Sequence, residues 1–134
     1  MLDHHTALIY TMVLVSAADG AMSDAELRSI GEVVNYLPIF RDYDADTLPR
    51  MAGDCAEILD DDEGLDKALE VIQGLLPDKL RETAYAIACD VAAADGAVRP
   101  EEARLLEILR DRLHIDRLAG AAIERGARAR HAVL

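Results

Sequence analysis

The sequence predicts an all-α fold, a compact bundle of about seven helices with an internal pseudo-two-fold repeat. Three observations predict it. The composition favours helix: 51% of the 134 residues are apolar, with four tyrosines, one phenylalanine and no tryptophan. Alanine, leucine, glutamate and arginine abound, and β-branched residues are too scattered to build a sheet. Apolar residues recur at three- and four-residue spacing along most of the chain. The third observation is a repeat. The segment at 15–28, VSAADGAMSDAELR, returns at 91–104 as VAAADGAVRPEEAR, with eight of fourteen positions identical at an offset of 76. A duplication of this kind makes helices one and two equivalent to helices five and six. The length suits one domain over residues 1–134.

The first helix is expected from about Asp3 to Ala18. Ala7, Leu8, Ile9, Tyr10, Met12, Val13, Leu14 and Val15 make it apolar on nearly all sides, so it belongs at the centre. Gly20 supplies a left-handed stop. Ser23 and Glu26 form a capping box that opens the second helix. Leu27, Ile30, Val33, Val34 and Leu37 follow at helical spacing, and Pro38 ends it. The connection from Tyr36 to Tyr43 holds three of the five aromatics and reads as a plug on the end of the bundle, or else as the lining of a partner groove. Helix three spans about Asp46 to Leu59, with Leu48, Met51, Ala52, Cys55, Ile58 and Leu59 on one face. Asp60-Asp-Asp-Glu-Gly64 reads as a solvated acidic turn at the start of helix four, with cation binding as the alternative. Helix four carries Leu65, Ala68, Leu69, Ile72, Leu75 and Leu76.

Pro77 opens the second half. Helix five, from about Asp78 to Ala94, is rich in alanine, so a neighbour can approach it closely. Helices one and five are expected to pack against each other. Pro100 takes the first position of helix six, whose apolar face is Leu105, Leu106, Ile108, Leu109 and Leu113. Asp116 caps helix seven, which is expected to end near Arg128 and to fray there.

Charge narrows the function. The net charge of −12 leaves no basic footprint for nucleic acid and disfavours an anionic membrane surface. Divalent cations and basic protein surfaces suit it better. The basic run at Arg117, Arg125, Arg128 and Arg130 fits the C-terminal end of a helix, or a docking patch. Cys55 and Cys89 lie among apolar residues and read as buried, reduced thiols. The apolar stretch from Ala7 to Ala18 is too short to span a membrane, and Met-Leu-Asp-His-His lacks the basic start of a signal peptide. A cytoplasmic location is expected.

The repeated turn holds the chemistry. In each copy the glycine reverses the chain, and Met22 or Val98 tucks the turn inward. The aspartate can accept turn amides, and the glutamate stands at the third position of the next helix. Capping explains each of these residues. The same residues also bring Asp19 near Glu26 and Asp95 near Glu102. If the two corners meet, four carboxylates converge, and hard divalent cations take oxygen ligands of that kind. Four like charges then need a cation or raised pKa values. Asp90, within apolar helix five, is read as surface-facing or paired to an arginine.

The duplicated Ala-Ala-Asp-Gly-x-(Met/Val)-x-x-x-Glu turn resembles the tellurite-resistance TerB-like family, most closely at Asp90 to Glu102, and the resemblance covers essentially the whole chain. It implies a compact helical bundle with a two-fold arrangement of acidic residues, and a part in tellurite resistance or general stress response. It also implies divalent-cation binding (calcium, magnesium or zinc), which carries over to Asp19, Glu26, Asp95 and Glu102. Related domains accompany J-domain co-chaperones, which implies a protein partner. The second copy departs from the first where Arg99-Pro100 replaces Ser23-Asp24. That loses a hydroxyl cap and adds a positive charge, so the first corner is expected to bind a cation better. No enzymatic activity is implied.

Other classes fit less well. A di-metal enzyme in a helical bundle uses Glu-x-x-His pairs, and the chain has none. His4, His5, His114 and His131 are expected to face solvent. An EF-hand counted from Asp19 meets Ala21 at position three and Ile30 at position twelve. No phosphate loop, nucleophile elbow or zincin motif occurs. The expectation is a non-enzymatic stress-response or interaction domain with an acidic face. A carboxylate-based metal enzyme is the alternative.

Overall fold

The computed structural model describes residues 2–18, 20 and 22–134. Seven α-helices account for the described architecture: α1 (His4–Ser16), α2 (Asp24–Tyr36), α3 (Leu48–Leu59), α4 (Gly64–Leu75), α5 (Arg81–Ala92), α6 (Pro100–Arg112) and α7 (Arg117–Arg130). Short 3-10 turns at Pro38–Phe40, Ala45–Thr47 and Asp78–Leu80 join them. Among the described residues there is no strand, and no helix is long and apolar enough to cross a membrane.

Helix α1 is the axis of the bundle. Every residue from His5 to Ser16 is buried, as an all-round apolar helix requires. It packs on α5, α3 and α4, and meets α2 and α6 with smaller contacts. Leu8, Ile9 and Met12 have no exposed surface; truncating such a side chain to alanine typically costs about 2–5 kcal/mol. Thr11 donates its hydroxyl to the Ala7 carbonyl at 2.7 Å, whereas the Ser16 hydroxyl near the end of the helix is buried without a partner.

The alanines of α5 do what their size permits. Ala84, Ala88 and Ala92 are fully buried, and α5 is pressed against α1 on one side and α7 on another. Large surface on α1 thus meets small surface on α5. Helix α7 continues to Arg130, beyond the expected end, and its last turn is tied down. Arg130 Nη2 lies 2.6 Å from Asp90 Oδ1 on α5, and His131 Nε2 lies 3.3 Å from the same oxygen. Asp90 is therefore an ion-pair partner. Tyr85 on α5 and Arg110 on α6 both donate to Glu124 Oε2 on α7, at 2.5 and 2.8 Å.

The two repeated turns are built alike. Gly20 and Gly96 both have φ +89°, a region that side chains rarely adopt. Around the turns the packing of the halves differs: α3 and α4 cover α1, whereas α7 covers α5. The aromatic connection divides. Phe40 is buried and Tyr43 packs on the core, so this part plugs the bundle, while Tyr36 is 82% exposed.

The acidic turn before α4 is exposed from Asp60 to Glu63. Lys67 pairs with Asp61 and holds its carboxyl below the ordinary value. Gly64 is buried because the chain folds back on itself there. A Cβ at this position would lie 2.3 Å from the Ile58 carbonyl oxygen and 2.7 Å from Leu59 Cα. Gly64→Ala is expected to lose about 1–3 kcal/mol through overpacking. Gly53→Ala on exposed α3, where nothing lies within 4 Å, should gain about 0.4–1 kcal/mol. Urea midpoints of the two variants check the contrast; equal midpoints would contradict the close approach at Gly64.

Candidate functional site

Two helix starts define the site. Ser23 caps α2, and its Oγ accepts the Glu26 N–H at 3.1 Å. Glu26 replies by accepting the Ser23 N–H on Oε1 at 2.9 Å. In the second copy, Glu102 Oε1 accepts the Arg99 N–H at 3.1 Å. Arginine has no acceptor to offer in return, so half of the reciprocal box is lost there, as the sequence departure implies.

Capping accounts for one oxygen of each glutamate. The other two set this site apart. Glu26 and Glu102 are both 0% exposed, although the third position of a helix ordinarily meets water. Their Oε2 atoms are buried without a hydrogen-bond donor. The two carboxyl groups lie within hydrogen-bonding reach of each other. Burial, and then the facing Glu26 carboxyl, raise the Glu102 pKa, while the Arg99 N–H pulls it down. Two facing carboxylates in a dry site cannot both stay ionised without a counter-charge. The raised Glu102 pKa expresses that conflict, and the Arg99 guanidinium, 3.8 Å from Glu102 Oε1, offsets part of it.

The other two predicted residues fare differently. Asp19 lies outside the described residues. Asp95 Oδ1 accepts the Ala97 N–H at 3.3 Å, as a turn aspartate does. Its Oδ2 meets Arg99 Nη1 at 3.1 Å, and the same nitrogen lies 3.8 Å from Glu102 Oε1. The second corner thus contains a guanidinium between its two carboxylates. The pairing that the structure makes is across the repeat, Glu26 with Glu102, more than within the second corner.

Elsewhere the chemistry is muted. Cys55 and Cys89 are free and buried, and burial pushes both thiols up to about 12. A cavity of about 350 Å³ between α5, α6 and α7 is lined by Tyr85, Cys89, Val98, Leu106 and Ala127. Of the polar groups at its wall, Tyr85, Arg110 and Glu124 satisfy one another, and Glu107 and Arg128 also line it. Burial and then the bond to Glu124 raise the Tyr85 pKa.

One histidine departs from expectation. His5 is 5% exposed, because α1 is buried from its second residue onward. Its ring stacks on Phe40 at 5.3 Å and tilts against Tyr43 at 5.0 Å between centroids. The signal was available: His5 stands two residues before the predominantly apolar stretch that begins at Ala7.

Comparison with known proteins agrees with this architecture. The family model described as tellurite resistance protein TerB matches residues 5–125. No curated protein and no solved structure matches the chain.

The raised Glu102 pKa fixes a sign for pH dependence. Folded Glu102 holds its proton more tightly than the unfolded chain, whose value is near 4.5. The folded state then binds more protons, and stability falls as pH rises from that value through the raised one. Glu102→Gln should remove much of that decline. Its amide can accept from Arg99 and donate to Glu26, and a hydrogen bond to a charged group contributes about 1.5–3 kcal/mol. Melting temperatures of both proteins in metal-free buffers across this range are the measurement; parallel curves would refute the shared-proton reading. For the thiols, neither cysteine should be alkylated at about pH 8 in the folded protein, and both should react after denaturation. Mass spectrometry of iodoacetamide-treated samples reads this directly.

Proposed function

The chain belongs to the TerB family, and from that premise we propose that it is a non-enzymatic helical module that binds a divalent cation at the Glu26–Glu102 pair and a basic protein partner on its acidic surface. The observation that carries the cation reading is the pair of buried Oε2 atoms without donors. An all-oxygen set suits calcium or magnesium better than zinc, which prefers nitrogen and sulfur. Asp95 and, by its matching place in the repeated turn, Asp19 are the further ligands to test. The Arg99 guanidinium already beside Asp95 and Glu102 reduces what the second corner adds.

The burial of both glutamates supports a role without catalysis. A substrate cannot touch side chains that have no exposed surface, whereas an ion can enter when a turn opens. The partner reading draws on the hairpin of α3 and α4. Asp54, Glu57, Asp60, Asp62 and Glu70 are exposed along it, a charge distribution that steers basic surfaces toward it. The family match supports, as part of this reading, a place in tellurite resistance or general stress response. With both thiols buried, direct capture of tellurite by cysteine is not part of the proposal.

Calcium or magnesium should raise the melting temperature in proportion to the logarithm of its concentration. Glu26→Gln/Glu102→Gln should abolish the response, and Asp95→Asn should weaken it less. A melting curve indifferent to millimolar calcium and magnesium would eliminate the cation and leave a proton-sharing structural pair.

A further inference from the structure

We propose that Asp3, His4 and His5 form a zinc site at the start of α1, separate from the glutamate pair. One ligand atom from each of the three residues lies within 4.8 Å of the others. The residues are contiguous because Asp3 caps the helix that the two histidines begin. Asp3 Oδ1 accepts the His5 N–H at 2.9 Å and the Thr6 N–H at 3.4 Å. The backbone thus occupies Oδ1, and Oδ2 is turned to the His5 ring, 3.7 Å from Nδ1. That separation is too long for a hydrogen bond.

His5 supplies the second, independent observation. Its Nε2 lies 2.8 Å from the Ile39 carbonyl oxygen. A carbonyl only accepts, so Nε2 carries the hydrogen, and in the neutral ring Nδ1 keeps a lone pair. This nitrogen belongs to a side chain only 7% exposed, and it points at a carboxylate oxygen. Two electron-rich atoms face each other across a gap that suits a cation. An imidazole whose other N–H is held by a backbone carbonyl is oriented as metal-bound histidines are. The Asp42 carboxylate, 3.5 Å from Nε2, adds negative charge behind the ring. His4 tilts against His5 with 4.1 Å between centroids and is only partly buried, so its ring is free to adjust and close the set.

The donor set names the metal class. Two imidazole nitrogens and one carboxylate oxygen suit zinc, at about 2.0–2.2 Å each, with a fourth position for water. Calcium and magnesium demand oxygen ligands and do not fit. Zinc therefore belongs at the α1 start, and the all-oxygen glutamate pair has a different preference.

The test uses the full chain and zinc ions alone, titrated calorimetrically, with nitrogen-15 NMR of the histidine rings. One equivalent should bind, and the His5 Nδ1 resonance should move while Nε2 keeps its proton. His4→Ala and Asp3→Asn should each weaken zinc binding by at least about tenfold. Asparagine still caps a helix, so unchanged helicity in Asp3→Asn separates a ligand role from capping. Glu26→Gln/Glu102→Gln should leave zinc affinity unaltered, whatever becomes of the calcium response. The proposal falls if millimolar zinc shifts neither ring, if both N-terminal variants bind as the parent does, or if only the double glutamine variant loses zinc.

Discussion

A helix with no solvent face sets the terms for this fold. From His5 to Ser16 every residue of α1 is buried, so its burial can be achieved only by surrounding it. Five other helices touch it. The pressure for small side chains on α5, the fold-back of the chain at Gly64 and the plugging of the bundle end by Phe40 all follow from the need to close a shell around one apolar rod. Hydrophobic burial is non-directional, so it fixes that the shell closes but not how its polar parts meet.

Polar geometry is concentrated at the two helix starts that follow the repeated turns. Each turn reverses the chain by a glycine in left-handed conformation, and each places a glutamate at the third position of the next helix. One carboxylate oxygen closes the helix start and is satisfied locally. The second oxygen is buried without a donor, and the Glu26 carboxyl of the other copy raises the Glu102 pKa. Local capping and long-range pairing are thus properties of the same side chain. The first is ordinary stabilisation. The second introduces buried negative charge, which the Arg99 guanidinium relieves in part at Glu102.

Much of this was legible in the sequence. The helices were, because apolar spacing, the Ser23–Glu26 box, Pro100 and Asp116 each act within a few residues of where they stand. The central place of α1 followed from its lack of a polar face. The depth of Glu26 and Glu102 was not legible, since an N-terminal glutamate looks the same whether it faces water or another helix start 76 residues away. Arg99 was visible as an added positive charge in the second copy, and its placement between Asp95 and Glu102 required the fold. His5 was misjudged because histidine near a chain start is usually exposed, and the apolar run beginning two residues later outweighed that tendency. The end of α7 ran longer than its thinning apolar pattern suggested, because Asp90 on α5 anchors Arg130 and His131 by charge.

Complete enclosure of the glutamate pair also has a temporal side. An ion held by exposed carboxylates exchanges as fast as it diffuses. An ion held between Glu26 and Glu102 leaves only when the protein opens locally, and such openings range from microseconds to seconds. Occupancy at this site would trail behind changes in the surrounding concentration and smooth out brief fluctuations. If the proposed ion binds there, the enclosure would suit it to recording a sustained condition and would suit it poorly to following a rapid signal.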